Sequence, residues 1–322
     1  MTDHKHKIEQ LFDLHGKIAV VTGGAGLLGS EFCQTLAEAG ANVVVVDLNA
    51  TAAQALAEML SRHGHATLAA AVDITDPAAV EQMVAQTLAA FGRLDILVNS
   101  AALDPKFDPQ HLADQHLADQ HLADQHLADQ HLADQHLADQ HLAGQADSMP
   151  YTQQVGSGAF ETFPLDAWKQ ALDVNLTGAF LCCQAASKVM LAQGGGVIIN
   201  IASMYGLVGP DQRLYERPDL PPGAPRQFKP VYYTVTKAGI LGLTHYLAAY
   251  FAGKNIRVNA LTPGGVFNGH QDHFVQAYSA RSILGRMAEK DEMNGALLFL
   301  ASDASAYMTG ANLVVDGGWT AW

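Results

Sequence analysis

The chain has 322 residues, 49% of them hydrophobic, and a formal net charge of −14 from 18 basic and 32 acidic residues. That length and apolar content support a substantial core in one large domain, and the acidic balance argues against a nucleic-acid or anionic-membrane surface. Apolar runs of about 18 residues that would span a membrane are absent, the polar stretch from Met1 to Gly16 carries no secretory h-region, and Cys33, Cys182 and Cys183 make a poor disulfide framework, so a cytoplasmic protein with reduced thiols is expected.

Lys17 to Thr22 reads as a short buried strand that runs into Gly23-Gly-Ala-Gly26-Leu-Leu-Gly29 and then a helical pattern to about Ala39. Gly40 to Asn42 breaks the helix, and Val43 to Asp47 forms a second buried strand. Strand, glycine turn, helix and strand make a βαβ unit. Its glycines permit a tight turn, let a pyrophosphate approach bare backbone, and let helix and strand pack closely. The pyrophosphate then meets the free N–H groups at the helix N-terminus. Asp47 ends the second strand, 18 residues beyond Gly29, where a carboxylate can accept from ribose hydroxyls and repel a 2′-phosphate. Neither Leu48 nor Asn49 supplies an arginine for that phosphate, so NAD is favoured over NADP.

The alternation continues with a helix from Thr51 to His63, a strand from Leu68 to Val72, a helix from Pro77 to Phe91 and a strand over Asp95 to Ala101. Repeated βα units imply a parallel, doubly wound α/β sheet with ligands at the carboxyl ends of its strands. Asp73 and Asn99 fall at such ends.

His111-Leu-Ala-Asp-Gln115 then recurs six times unchanged through Gln140, followed by His141-Leu-Ala-Gly-Gln145, and supplies six of the negative charges. Five residues turn an α-helix by about 500°, so successive leucines drift around the axis. An odd period also swaps the faces of a strand at each repeat. The segment therefore has no continuous apolar face. It is read as a tandem expansion in a surface insertion spanning 103–163, with no catalytic role and no defined metal site.

Beyond it, Pro164 to Gln193 is a long helical pattern containing Asn175, and Val197 to Ile201 is a strand with Ser203 just past its end. A proline-rich segment over 204–230 precedes a helix bearing Tyr233 and Lys237. Four residues apart, these two share one helix face. An ammonium held there favours phenolate over phenol and tunes the tyrosine for proton transfer. Arg257 to Leu261 is a further strand closed by Thr262-Pro-Gly-Gly265, Ala288 to Ser302 a helix, and Asn312 to Asp316 a last strand.

Taken in order, Thr22-Gly23 with its glycine turn, Asp47, Asp73-Ile74, Asn99-Ser-Ala-Ala102, Asn175, Ser203, Tyr233, Lys237 and Pro263-Gly264 resemble the short-chain dehydrogenase/reductase family over residues 12–322 outside the repeat. The resemblance implies a single Rossmann-like domain. It also implies a tetrad in which Tyr233 is the general acid/base, Ser203 hydrogen-bonds the substrate oxygen, Lys237 binds the nicotinamide ribose, and Asn175 anchors a water in a proton relay. Cofactor contacts are implied at Gly23, Gly26, Leu28, Gly29, Asp47, Asp73, Ile74, Asn99, Ala101, Tyr233, Lys237, Pro263, Gly264 and Val266. A homotetramer follows by family analogy. Val314 to Trp322 and Tyr205 to Pro210 further resemble a bacterial subgroup linked to surface-glycan and flagellin modification.

Some features depart from the pattern. Leu27 stands where the shorter branch of the family has its second glycine, and the Gly23-x-x-Gly26-x-x-Gly29 spacing is that of the branch acting on sugar nucleotides. Asn99-Ser-Ala-Ala102 replaces the commoner Asn-Asn-Ala-Gly, and Asn268 replaces a threonine. The Ser203–Tyr233 interval is long, and its Asp211 to Lys229 part carries Arg213, Arg217, Arg226 and Lys229 against three acids. This basic insertion suggests a polar, even anionic, sugar-like substrate, with an ordinary solvated loop as the equal alternative. Gln271 to Arg281 is read as a lid flanked by Gly269 and Gly285. An NAD-retaining epimerase or dehydratase, and a non-catalytic dinucleotide-binding protein, remain open beside the oxidoreductase.

Overall fold

Strand β1, Ile18–Thr22, is buried along its whole length, as its unbroken apolar run requires of a strand covered on both faces. The computed structural model describes residues 8–104, 157–217, 221 and 226–322. The HLADQ repeat lies outside the described residues, as does part of the 204–230 segment. After a single turn, α1 (Ile8–Leu11), the order is β1, α2 (Leu27–Glu38), β2 (Asn42–Asp47), α3 (Ala50–Arg62), β3 (Thr67–Ala71), α4 (Pro77–Phe91) and β4 (Ile96–Asn99). Then come α5 (Leu165–Leu172), a π-helical segment (Asp173–Gly178), α6 (Ala179–Gln193), β5 (Gly196–Ile201), α7 (Val231–Tyr250), β6 (Ile256–Pro263), α8 (Asp272–Ser279), α9 (Asn294–Ala301) and β7 (Asn312–Val315).

All seven strands pair in parallel, in the order β3-β2-β1-β4-β5-β6-β7. This is the doubly wound, Rossmann-like sheet expected from the βα alternation, with its chain reversal between β1 and β4. Strand residues alternate between two cores. Val21, Val43, Val45, Val98 and Ile199 pack with Phe32 and Leu36 of α2, Ala57 and Leu60 of α3, and Leu297 and Leu300 of α9. Val20, Val44, Val46, Leu97 and Ile198 pack on the other face with Val80 and Met83 of α4 and Cys182, Ala186 and Met190 of α6. Each such fully buried aliphatic side chain stabilises the fold by about 1.5–3 kcal/mol. The stretch from Leu165 to Gln193 has the length and mean hydropathy of a membrane span, but half of its apolar window is buried, which is the pattern of a core helix.

Two expected helices differ in detail. The continuous helix over Pro164 to Gln193 is interrupted by the π segment at Asp173–Gly178, a feature that inserts one residue into the turn and often marks a functional site. The helix expected from Ala288 begins later, because Ala288 is held in a bridge with Val266. A capping box between Glu289 and Glu292 then starts a short 3₁₀ turn at Lys290–Met293 ahead of α9.

By contacts the chain separates into two compact units. The sheet, its covering helices and the C-terminus form the first. The second comprises the described residues within 104–170 and 215–231, close to the two segments expected as insertions. Within it, Phe228 N–H donates to Ser157 O at 2.9 Å. Lys229 pairs with Asp104, and Arg226 with Glu216.

Candidate active site

The glycine turn is shaped by what its missing side chains leave room for. Gly23 has φ +62°, and a Cβ there would lie 2.7 Å from Ala101 Cα. A Cβ on Gly29 would sit 2.0 Å from Gly23 O, so α2 packs on the turn at a distance only glycine permits. Gly26 is the N-cap of α2 and offers no side-chain acceptor, which leaves the first N–H groups of the helix for an anion. These features fit the pyrophosphate of a dinucleotide. Leu28 packs against the core beneath the turn.

Asp47 closes this cradle from the end of β2. One carboxylate oxygen accepts from Ala25 N at 3.0 Å and the other from Asn49 N at 3.0 Å. The acid therefore braces the glycine turn as well as standing where a ribose is expected. Asp73 accepts from Thr75 N and Oγ1 in a tight turn, while Ile74 is buried with its side chain against Gly178. Asn99 turns inward: its amide donates to Asn200 Oδ1 at 2.8 Å and to Cys183 Sγ at 3.1 Å, bracing β4 on β5. Thr22 Oγ1 accepts from Ser100 N and Ala101 N, fixing the loop after β4 beside the glycine turn.

The proton-transfer candidates come together from three elements. Lys237 is buried on α7, and its Nζ donates to Ile201 O at 2.9 Å, at the end of β5 and two residues before Ser203. The same Nζ lies 5.8 Å from the centroid of the Tyr233 ring. Ser203 is buried and accepts from Tyr205 N, and the Tyr205 ring stands edge-on to Tyr233 with centroids 6.5 Å apart. A Cβ on Gly206 would be 2.7 Å from the Lys237 carbonyl carbon, so the serine turn lies directly on α7. Asn175, on the π segment, accepts from Leu103 N at 2.6 Å, donates to Leu103 O at 3.1 Å, and reaches Thr236 Oγ1 at 3.5 Å.

Pro263, Gly264 and Val266 follow β6. Gly264 is held against Asp316, where a Cβ would lie 2.7 Å from Cα. The ring of Tyr278 from α8 covers Gly265. Asp211 joins the segment after Ser203 to the residue beyond α8 by accepting from Arg213 and Arg281. The Arg213 guanidinium, helped by Arg281, holds the Asp211 carboxyl down at about 2 against the cost of burial. Three of the insertion's four positive charges thus meet the chain's own carboxylates: Arg213 meets Asp211, Arg226 meets Glu216 and Lys229 meets Asp104.

Tyr205 and Gly206 entered the sequence reading only through the subgroup resemblance over Tyr205 to Pro210, and Tyr278 only within the expected lid, none of them as a site residue. A cavity of about 210 Å³ lies at the opposite, amino ends of the strands, lined by Lys17, Asp95, Gly196 and Arg257 among others. Arg93 pairs with Asp95 there, and Arg257 donates to carbonyls at the end of α9. That cavity is remote from the tyrosine and serine.

Residues 17–124 and 144–215 match the family described as short chain dehydrogenase. The chain belongs to the short-chain dehydrogenase/reductase family. Residues 226–320 match a model described as enoyl-(acyl carrier protein) reductase. Among curated short-chain dehydrogenase relatives, D-threitol dehydrogenase of Mycolicibacterium smegmatis is 34% identical, over 96% of this chain and 95% of its own. Galactitol 2-dehydrogenase (L-tagatose-forming) of Cereibacter sphaeroides is 29% identical over 97% and 98%. A gluconate 5-dehydrogenase from Burkholderia cenocepacia, solved with NADP and tartrate, superposes with TM-score 0.74 at 26% identity, covering 98% of this chain and 100% of that one. Short-chain dehydrogenases bind a nicotinamide cofactor and act on small molecules, which agrees with the dinucleotide cradle described above.

Proposed function

We propose that this protein is an NAD-dependent oxidoreductase that interconverts a secondary alcohol and a ketone on a polar, polyol-like substrate. The observation that carries the reading is the placement of Lys237 Nζ, donated to Ile201 O and standing over the Tyr233 ring beside the serine turn. Bound nicotinamide supplies the hydride acceptor or donor. Tyr233 takes the hydroxyl proton during oxidation and returns it during reduction. Lys237 favours the phenolate that this requires. Ser203 donates to the carbinol or carbonyl oxygen and stabilises the charge that develops there. Asn175, clamped to Leu103 and Thr236, holds the π segment against α7 and orders the proton path behind Lys237.

NAD is favoured over NADP because the Asp47 carboxylate at the end of β2 would repel a 2′-phosphate on the ribose expected there, and its bonds to Ala25 and Asn49 hold it in that position. A neutral polyol is favoured over an anionic sugar because three of the insertion's four cations, Arg213, Arg226 and Lys229, are answered by Asp211, Glu216 and Asp104. The threitol and galactitol dehydrogenases among its relatives support the same substrate class. The surface-glycan resemblance, confined to two short segments, would extend it to a sugar derivative. Three free, buried cysteines support cytoplasmic residence. A homotetramer would cover Phe180 and Leu191 of α6 and Val235, Tyr246 and Tyr250 of α7, all exposed in the single chain.

The test is NADH formation over tetritols, pentitols, hexitols, sugar acids and nucleotide sugars, with Tyr233→Phe as the control. NADH formation on neutral polyols that is lost in Tyr233→Phe is the expected result. Product formation without net NADH would favour an epimerase or dehydratase that retains its cofactor, the reaction to which the glycine spacing points. Tight NAD binding with no turnover would favour a binding protein.

A further inference from the structure

Tyr278 sits on α8, away from the tetrad in sequence, yet its hydroxyl touches both walls of the site. It accepts from Gly265 N at 2.5 Å, in the turn that follows Pro263 and Gly264. It also donates to Met204 Sδ at 3.5 Å, and Met204 directly follows Ser203. We infer that Tyr278 is a positioning residue that locks the turn after β6 to the serine turn, so that cofactor and substrate oxygen are held in one register. The inference rests on the site reading proposed above.

The surroundings leave the ring almost no freedom. Tyr278 is 2% exposed, and its ring stacks on Trp319 with centroids 4.4 Å apart and planes at 23°. The turn carrying Trp319 is pinned in its own right, because Asp316 accepts from Gly318 N, Thr320 N and Thr320 Oγ1. On its other side the ring fills the space a Gly265 side chain would take, since a Cβ there would come within 2.6 Å of Cε2 and Cζ. Burial pushes the phenol up to about 12, so it stays protonated and can donate to sulfur while accepting from the amide. Phenylalanine would preserve the stack and the volume but neither hydrogen bond. Arg281, three residues on, adds an ionic tie to Asp211. The carboxyl end of α8 is therefore fastened to the serine segment at two points.

The experiment compares wild type, Tyr278→Phe and Met204→Leu by thermal melting, by titration with NAD and NADP, and by kcat and KM on whichever alcohol the wild type oxidises. Tyr278→Phe is expected to melt lower, because the Gly265 amide loses its acceptor, and in addition kcat per folded molecule falls about tenfold to a hundredfold and dinucleotide affinity weakens several-fold, because small displacements at a reacting centre are costly in rate. Met204→Leu, which removes only the serine-side bond, is expected to lower kcat and leave dinucleotide affinity unchanged. A purely structural tyrosine would lower the melting temperature and leave kcat per folded molecule intact, and that outcome overturns the inference. If Tyr278→Phe does not fold, an unchanged kcat in Met204→Leu overturns it instead. If the wild type oxidises no alcohol, the functional reading fails separately, and the titrations decide on Tyr278 without turnover. A wild type that binds neither dinucleotide overturns both.

Discussion

Lys237 Nζ donates to the carbonyl oxygen of Ile201 at 2.9 Å, and so a residue of α7 ends on the last residue of β5. This bond spends one of the three ammonium protons on the scaffold and aims the charge at the region between Tyr233 and the serine turn. A lysine in that position is tied to the sheet. Replacing Lys237 with methionine keeps the stem and removes the charge. The expected result is a kcat lower by about 10²–10⁴-fold. With the ammonium gone, the phenol ionises less readily, so the rising limb of the oxidation rate should move to higher pH. An unshifted pH profile in Lys237→Met would show that the lysine does not tune Tyr233.

Gly29 offers a sharper steric test. A methyl group there would collide with backbone at 2.0 Å, whereas one at Gly26 would meet Gly23 O at 3.1 Å. Gly29→Ala should therefore lose about 1–3 kcal/mol of stability and bind dinucleotide far more weakly, with Gly26→Ala the milder of the two. Calorimetric melting and a dinucleotide titration measure both effects. Equal behaviour of the two variants would contradict this account of the turn.

Asp47 has two duties, and two substitutions separate them. Asp47→Asn removes the charge and keeps one acceptor for Ala25 or Asn49. Its NADP-to-NAD ratio of kcat/KM should rise about tenfold or more, with a modest loss of stability. Asp47→Ala should relax the same selectivity but also melt lower, because both amides lose their acceptor. A ratio that does not move in either variant would remove Asp47 from cofactor selection.

Acid should loosen the tie between Asp211 and Arg281 at a defined point. The folded carboxyl titrates near 2, below its ordinary 3.8, chiefly because Arg213 donates to it. The folded state therefore binds this proton less readily than the unfolded chain does. The stability that follows is complete above about pH 4 and fades as pH falls toward 2. Asp211→Asn lacks this contribution, so the gap in unfolding free energy between wild type and variant should narrow across that window. Urea melts at a series of acid pH values measure the gap, and a gap that stays constant would count against the tie.

The central strands could be read from short apolar runs because they are buried on both faces, as Ile18–Thr22 is along its whole length, whereas the outer strands Thr67–Ala71 and Asn312–Val315 are largely half-buried. The start of α4 was equally readable, since Pro77 suits the first turn of a helix, and the structure adds Asp76 as its cap. Asn175 was legible within the helical pattern but its setting was not. The pattern over Pro164 to Gln193 has one helical periodicity, and the π segment arises where Asn175 reaches Leu103, 72 residues away. For the basic insertion the net charge was visible in the sequence, but the pairing of Lys229 with Asp104, outside the segment, was not.

By itself the sequence determined what is encoded at short range along the chain: the βα alternation, the glycine turn and its acid, and the Tyr233–Lys237 spacing. These depend on local periodicity, capping and backbone freedom, which neighbouring residues specify. Only the tertiary structure decided that Lys237 is anchored on Ile201, that Asn99 braces the sheet, that Asp211 holds Arg281, and that Tyr278 joins the two turns of the site. Each of those contacts forms between residues 36 to 101 positions apart, apart from the Tyr278 to Gly265 bond, and depends on how whole elements pack. Side-chain chemistry is written in the chain, but the partner it meets is set by the packing of the sheet and its helices.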